Sequence, residues 1–288
     1  MPKETYLAPL PHSIIEDAVN RALAEDLAWG DITTDNLISP SLQGRATFLA
    51  KQSGVVAGLD VAACAFANVH RSVVFEPLVK DGARTEPKQA IARVEGRVTS
   101  ILKAERTALN FLQRLSGIAT LTSRFVEAVG DAKGRIIDTR KTTPGLRLLE
   151  KYAIRAGGGS NHRFHLGDGI LIKDNHLAAL ERAGEDLGRT IARMRHLAPH
   201  YLKVEVEVTS AAQAVAALEA GADILLLDNM APRDMKEVVR MVAGRALTEA
   251  SGGITLETVR EVALTGVDLI SVGALTHSYK ALDISLEM

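Results

Sequence analysis

The chain has 288 residues, 47% of them apolar, and its 34 Lys and Arg residues nearly balance 35 Asp and Glu residues, so the net charge is −1. This size and composition can bury one large core or two modest ones and exclude a disordered chain. A pI near 6.7 argues against a general nucleic-acid binder. No stretch approaches the roughly 20 apolar residues that a membrane span needs.

The first half of the chain predicts a small α/β domain. Residues 12–26 carry an apolar stripe at helical spacing, and residues 44–102 form short β-like runs separated by glycines. A helix at about 103–129 follows, with polar or small residues opposite its apolar side at Arg106, Asn110, Gln113 and Gly117. We therefore expect a first domain over residues 1–115, with the tail 276–288 packing back on it. The single cysteine, Cys64, lies in an apolar run and is consistent with a reducing cytoplasm.

Beyond Gly134 the pattern changes to a repeated unit of an apolar strand followed by a helix. The strands are expected at Arg135–Asp138, Gly169–Lys173, Lys203–Val208, Ile224–Asp228, Ala246–Glu249 and Leu269–Gly273. Such alternation is typical of a parallel sheet. Polar residues follow nearly every strand. In a barrel these strand ends share one rim, which is where barrel enzymes have their active sites. We therefore expect an α/β barrel catalytic domain over residues 116–275.

The segment from Arg140 to Lys173 concentrates positive charge. It holds seven Lys or Arg residues against two carboxylates, whereas the rest of the chain has 27 basic and 33 acidic residues. Fixed cations interleaved with glycine and hydroxyl residues suit a small polyanion, because they can neutralise several phosphate or carboxylate oxygens together. A solvated charged loop is the alternative interpretation.

Two carboxylates, Glu207 and Asp228, end neighbouring strands and have no cation close by in the sequence. Their hard oxygens suit Mg²⁺ or the hydroxyls of a ribose. Each could instead be a surface acid or a helix cap. Glu205 precedes Glu207 by two residues and lies on the same strand face. We expect Glu205 to be a structural partner rather than a ligand-binding residue.

The last two strand ends carry glycines, in Ser251-Gly252-Gly253 and at Gly273. Barrels commonly bind a phosphate on backbone N–H groups at these positions, although a single glycine also suits a tight turn. Histidines 162, 165 and 176 lack the spacing and the cysteines of a zinc site, so we interpret His162 as a hydrogen-bond donor.

Together these motifs resemble one known family. The resemblance is carried by Asp138–Gly145 (DTRKTTPG), Gly157–Arg163 (GGGSNHR) and Ile172–His176 (IKDNH), with further agreement at Glu25-Asp26, Asp31–Thr34, Glu105–Asn110, Glu205–Val208, Leu227–Asn229 and Ser251–Gly253. Over essentially the whole chain, the sequence closely resembles the quinolinate phosphoribosyltransferases, the carboxylating nicotinate-nucleotide pyrophosphorylases. No departure falls at a position that matters for the motifs.

The resemblance implies a fold and an activity. The fold is an N-terminal α/β sandwich domain joined to an incomplete, open TIM-like α/β barrel, in a homodimer or higher homo-oligomer. The activity is transfer of the phosphoribosyl group of phosphoribosyl pyrophosphate to quinolinate with decarboxylation, which gives nicotinate mononucleotide, pyrophosphate and CO₂ for de novo NAD biosynthesis. Mg²⁺ is the implied cofactor. No nucleic-acid or membrane partner is expected, and the expected compartment is the cytoplasm.

Motif matching also assigns roles to individual residues. Thr139, Arg140, His162, Arg163 and Lys173 match residues that bind the quinolinate carboxylates. Lys141, Glu207 and Asp228 match catalytic residues on the phosphoribosyl pyrophosphate side, and Glu207 and Asp228 are the implied metal ligands. Ser251, Gly252, Gly273 and His277 match the 5′-phosphate or ribose region. Arg106 matches an arginine delivered across the dimer interface, which would explain the polar face of its helix.

Three other functions are compatible with parts of the sequence. A different phosphate-binding barrel enzyme, such as an aldolase, could use Lys173 as a Schiff base, which would require that lysine to be neutral. A molybdenum-transport-associated paralogue shares much of the barrel. A carrier function would depend on Lys80 in Val79-Lys80-Asp81-Gly82, but the runs that flank it are not clearly matched strands.

Overall fold

The structure is a computed structural model that describes residues 7–288. Its helices are α1 (His12–Asp26), α2 (Ile32–Leu37), α3 (Leu59–Val69), α4 (Val98–Val129), α5 (Arg147–Ala156), α6 (Asp174–Arg182), α7 (Leu187–Leu197), α8 (Ala211–Glu219), α9 (Pro232–Val242), α10 (Val259–Ala263) and α11 (Ala274–His277). Its strands are β1 (Gln43–Ala50), β2 (Gly54–Val55), β3 (Val74–Pro77), β4 (Arg84–Thr85), β5 (Ala90–Arg97), β6 (Arg135–Ile137), β7 (Ile170–Ile172), β8 (Val204–Val208), β9 (Ile224–Asp228), β10 (Leu247–Ser251), β11 (Leu269–Ser271) and β12 (Ile284–Glu287).

The chain forms two compact units. The first contains the described residues up to Ser123 together with Thr142–Gly158 and Leu275–Met288, and the second contains Arg124–Lys141 and Gly159–Ala274. Segment 142–158, which we expected in the barrel domain, thus belongs to the first unit. The expected domain boundaries stay predictions, because a compact unit need not coincide with a domain.

The first unit is built on a four-stranded antiparallel sheet in the order β12-β1-β5-β3. The C-terminal strand β12 pairs with β1, with Thr47 opposite Glu287. An aromatic cluster of Phe48, Phe66 and Phe75, whose ring centroids are 5.7–5.9 Å apart, packs α3 against this sheet. Because Phe48 and Phe66 have no exposed surface, they anchor the core of the unit.

Helix α4 begins at Val98, before the predicted start at residue 103. Its polar side has two different environments. Arg106 and Asn110 are exposed, whereas the Gln113 side chain donates to the carbonyl of Ile284 at 2.7 Å. A Cβ at Gly117 would collide with the carbonyl of Lys280. The chain's own C-terminal segment therefore accounts for Gln113 and Gly117 and leaves Arg106 open to solvent.

The second unit contains six parallel strands in the order β6-β11-β10-β9-β8-β7. Strands β6 and β7 are the two edges, so this barrel is incomplete. Ser210 caps α8 and Pro232 occupies the first turn of α9, which explains why those helices begin immediately after their strands. The predicted combination of an N-terminal sheet domain and an open TIM-like barrel is confirmed. Within residues 7–288, every helix is too short or too polar to cross a bilayer.

Candidate active site

A cavity of about 340 Å³ opens at the carboxyl ends of the barrel strands. Nine of the predicted site residues line it: Thr139, Arg140, Lys141, His162, Arg163, Lys173, Glu207, Asp228 and Ser251. Leu171, Leu226, Glu249 and Ser271 complete its wall. The strand ends thus bring together cations from the basic segment and carboxylates from β8 and β9, as the barrel rim predicts.

Local hydrogen bonds fix the backbone of two lysines of the cavity and the guanidinium of one arginine. After β6, the backbone N–H of Lys141 donates to Thr139 Oγ1 at 3.0 Å. Arg163 Nη1 donates to the carbonyl of Gly169 at 2.8 Å, and the backbone N–H of Lys173 donates to His176 Nδ1 at 2.9 Å at the start of α6. Burial, together with the charge of Arg140, lowers the pKa of the Arg163 guanidinium. Positive groups crowded in this way favour an anionic ligand.

The two carboxylates predicted as metal ligands lie on adjacent strands. Glu207 Oε2 is 3.5 Å from Lys173 Nζ. Glu207 therefore has a cationic partner, although none lies near it in the sequence. Asp228 ends β9, and its Oδ2 accepts from Asn229 Nδ2 at 2.7 Å. Both side chains line the cavity that also contains the cations described above, and Mg²⁺ is commonly bound by one or two carboxylates plus substrate phosphates. This set of donors fits Mg²⁺.

The turn after β10 has a backbone that only glycine adopts easily. Gly252 and Gly253 have φ values of +95° and +61°. A Cβ at Gly252 would collide with the side chain of Asn229, the residue that follows the neighbouring strand β9. Ser251 is the last residue of β10 rather than the first residue after it. Gly273 occupies the equivalent position between β11 and α11.

Two predicted site residues belong to the first unit. Arg106 lies exposed on α4, and His277 ends α11 with its Nδ1 2.6 Å from Ser278 Oγ. The ligand roles of both residues stay predictions.

The sequence matches the family models for the two domains of quinolinate phosphoribosyltransferase. The N-terminal domain model matches residues 31–116, and the C-terminal domain model matches residues 118–287. The chain belongs to the quinolinate phosphoribosyltransferase family.

Individual members of this family are similar to the chain over nearly its whole length. The probable carboxylating nicotinate-nucleotide pyrophosphorylase of Bacillus subtilis is 41% identical, with 96% of this chain and 94% of that protein covered. The corresponding Mycobacterium leprae protein is 43% identical, with 94% and 96% covered. Among solved structures, NadC of Streptococcus pyogenes superposes with a TM-score of 0.92 at 43% identity, with 98% of each chain covered. The resemblance read from the motifs is confirmed.

Some buried polar residues beneath the family's motifs were not predicted as site residues. Asp138 is fully buried, accepts from the backbone N–H of His162 at 2.9 Å and accepts from Asn161 Nδ2 at 2.6 Å. Glu205 and Glu249 lie deeper in the barrel and form a group with His162, in which one nitrogen or oxygen atom from each residue lies within 4.8 Å of the other two. The sequence did contain a signal for these residues, because an acidic residue inside a parallel strand is unusual where such strands are normally apolar.

Proposed function

We propose that this protein transfers the phosphoribosyl group of phosphoribosyl pyrophosphate to quinolinate and releases pyrophosphate and CO₂, giving nicotinate mononucleotide for de novo NAD biosynthesis. The observation that carries the proposal is the match of both family domains over residues 31–116 and 118–287. The cavity supports it, because one cavity offers cations for carboxylates and phosphates together with carboxylates for a metal or a ribose.

The quinolinate end of the cavity is formed by Arg140, Arg163 and Lys173, with His162 and Thr139 beside them. Quinolinate carries two adjacent carboxylates, and a planar guanidinium can grip a carboxylate through two parallel hydrogen bonds. Lys173 would exchange its contact with Glu207 for a substrate carboxylate. Ligand binding would thereby leave Glu207 available on the phosphoribosyl side.

The phosphoribosyl pyrophosphate end is formed by Lys141, Glu207 and Asp228. Glu207 and Asp228 would hold Mg²⁺ and the ribose hydroxyls, and the metal when bound would supply positive charge against the pyrophosphate oxygens. Lys141 contributes a further positive charge to the same leaving group. Backbone N–H groups near Ser251, Gly252 and Gly273 would take the 5′-phosphate, with His277 assigned to this region by its motif match alone.

The chemistry depends mainly on position and charge. The pyridine nitrogen forms a bond to C1 of the ribose on the face opposite the departing pyrophosphate, while positive charge builds at C1. The product nitrogen is quaternary, so the bond between C2 and its carboxylate can break with the electron pair left beside a cationic nitrogen. CO₂ departs, and C2 takes a proton from water. No covalent nucleophile is needed.

We also propose that the protein acts as a homodimer or higher oligomer in the cytoplasm. Arg106 would reach the neighbouring subunit's site, and its exposure on α4 is the observation in favour. A face with an exposed guanidinium and Asn110 is suited to meet an anionic site on a second copy.

The test is incubation with quinolinate, phosphoribosyl pyrophosphate and Mg²⁺. We expect nicotinate mononucleotide and CO₂ in equal amounts, and Glu207→Gln or Asp228→Asn should need more Mg²⁺ and turn over more slowly. A molybdenum-associated paralogue would give no nicotinate mononucleotide. An aldolase using Lys173 would instead be trapped covalently by borohydride with its carbonyl substrate.

A further inference from the structure

A second layer of acidic side chains lies inside the barrel below the proposed metal ligands. Glu205 precedes Glu207 by two residues on β8, and Glu249 precedes Ser251 by two residues on β10. Two residues of a strand span about 6.6 Å. Strand β9 separates β8 from β10, and alternate strands of a barrel contribute side chains to the same interior layer. The two carboxylates therefore face each other inside the barrel.

Both carboxylates are withdrawn from solvent, with Glu205 5% and Glu249 1% exposed. One oxygen of each, Oε1, is buried without a hydrogen-bond partner among residues 7–288. The other oxygens converge on one side chain, because Oε2 of Glu205 and Oε2 of Glu249 lie 3.2 Å and 3.8 Å from His162 Nε2. Burial, reinforced by the charge of Glu205, raises the pKa of Glu249. Burying a carboxyl group without full hydrogen bonding costs free energy, so two such groups at one place call for a functional explanation.

The opposite nitrogen of the same imidazole determines its tautomer. His162 Nδ1 accepts from the backbone N–H of Arg163 at 2.6 Å, so Nδ1 carries no proton and Nε2 carries the N–H, which faces Glu205 Oε2 at 3.2 Å. The His162 backbone N–H is itself held by Asp138. A continuous set of contacts thus runs from the two acids through the ring to the main chain of Arg163.

We propose that Glu205 and Glu249 are positioning residues for quinolinate. Glu205 is close enough to accept the Nε2–H hydrogen bond, and the negative charge of Glu249 lies on the same side at 3.8 Å. Together they hold the His162 ring in one orientation, and the ring's Nδ1 then holds the backbone of Arg163, whose side chain lines the cavity. This inference rests on the proposed function, in which Arg163 grips a quinolinate carboxylate. An acid that cannot accept this proton would allow the ring to turn and Arg163 to lose its alignment.

A metal ion held by the same three side chains is the competing interpretation. A metal on Nε2 would require Nε2 to lose its proton, and metal-bound histidines almost always donate an N–H from the other ring nitrogen. Here that other nitrogen accepts an N–H instead. The geometry therefore favours the positioning pair over a metal centre.

The first test reads the tautomer in the wild-type protein without any change to the acids. Two-bond ¹H–¹⁵N spectra of ¹⁵N-histidine-labelled protein, assigned with His162→Asn, should show the neutral form with the proton on Nε2. In Glu249→Gln and Glu205→Gln the His162 resonances should shift. A proton on Nδ1 in the wild type, or a transition metal at one per chain by elemental analysis, would overturn the proposal.

The second test separates quinolinate from phosphoribosyl pyrophosphate in steady-state kinetics. Glu205→Met, which removes the acceptor of the Nε2 N–H, should raise KM for quinolinate about tenfold and leave KM for phosphoribosyl pyrophosphate within about twofold. Glu219→Gln, on the exposed side of α8, is the matched control and should change neither. An unchanged quinolinate KM, or equal increases for both substrates, would contradict a positioning role. If wild type makes no nicotinate mononucleotide, the proposed function fails, and the tautomer result is still read independently.

Discussion

Replacing Glu150 by glutamine should strongly destabilise the first unit. Glu150 is fully buried, and its Oε1 accepts from Arg114 Nε at 3.2 Å and from Nη2 at 2.5 Å. Its Oε2 accepts from the backbone N–H of Thr143 at 3.1 Å. Glutamine keeps the shape but places an amide where one carboxylate oxygen stood and leaves the guanidinium without its counter-charge. Breaking a buried pair on one side costs about 3–5 kcal/mol, and because Arg114 is partly exposed we expect about 3 kcal/mol.

Urea unfolding followed by circular dichroism measures this loss as a lower midpoint at an unchanged slope. Arg114→Met with Glu150→Leu should recover much of the stability, because an apolar pair leaves no unpaired buried charge. Glu95→Gln, in an exposed pair with Arg45, is the control and should have a much smaller effect. A loss for Glu150→Gln no larger than that of the Glu95 control would refute the reasoning that burial makes this pair important.

Three further outcomes are expected. Arg140→Lys should weaken quinolinate binding about 10- to 100-fold in calorimetry, because an ammonium cannot reproduce a two-pronged carboxylate contact, whereas equal losses for both substrates would disprove the assignment. Mixed inactive Arg106→Ala and Lys141→Ala chains should regain activity, up to about half of wild type per heterodimer, unless Arg106 serves its own subunit. Burial acts to raise the pKa of Asp268, but the hydrogen bond from Lys133 and those from Thr248 outweigh it, so this pKa is lowered. The carboxylate of Asp268 therefore stabilises the fold fully above the ordinary Asp pKa of about 3.9, and this stabilisation is lost as the pH falls below that value. Asp268→Asn should therefore flatten the acid side of the stability curve, and an unchanged curve would contradict this.

Local patterns in the sequence were sufficient for much of the fold. The apolar stripe of residues 12–26 predicted helix α1, and the runs of β-type residues located all six barrel strands to within one or two residues. These features depend on side-chain periodicity and on turn residues, both of which act over a few positions. Because parallel strands present their carboxyl ends on one edge, the same patterns also predicted that the residues after those strands would meet.

Contacts between distant segments were decided only by the tertiary structure. Periodicity does not specify which strands are neighbours in the sheet. The strand order of the barrel brings Lys173 to Glu207, and it brings Glu205 and Glu249 to His162. The sequence by itself determined the family, the elements and the chemistry of the rim residues. The tertiary structure decided which buried charges are partners, because the energy of such a pair depends on distance and burial that are set by the packing of the whole barrel.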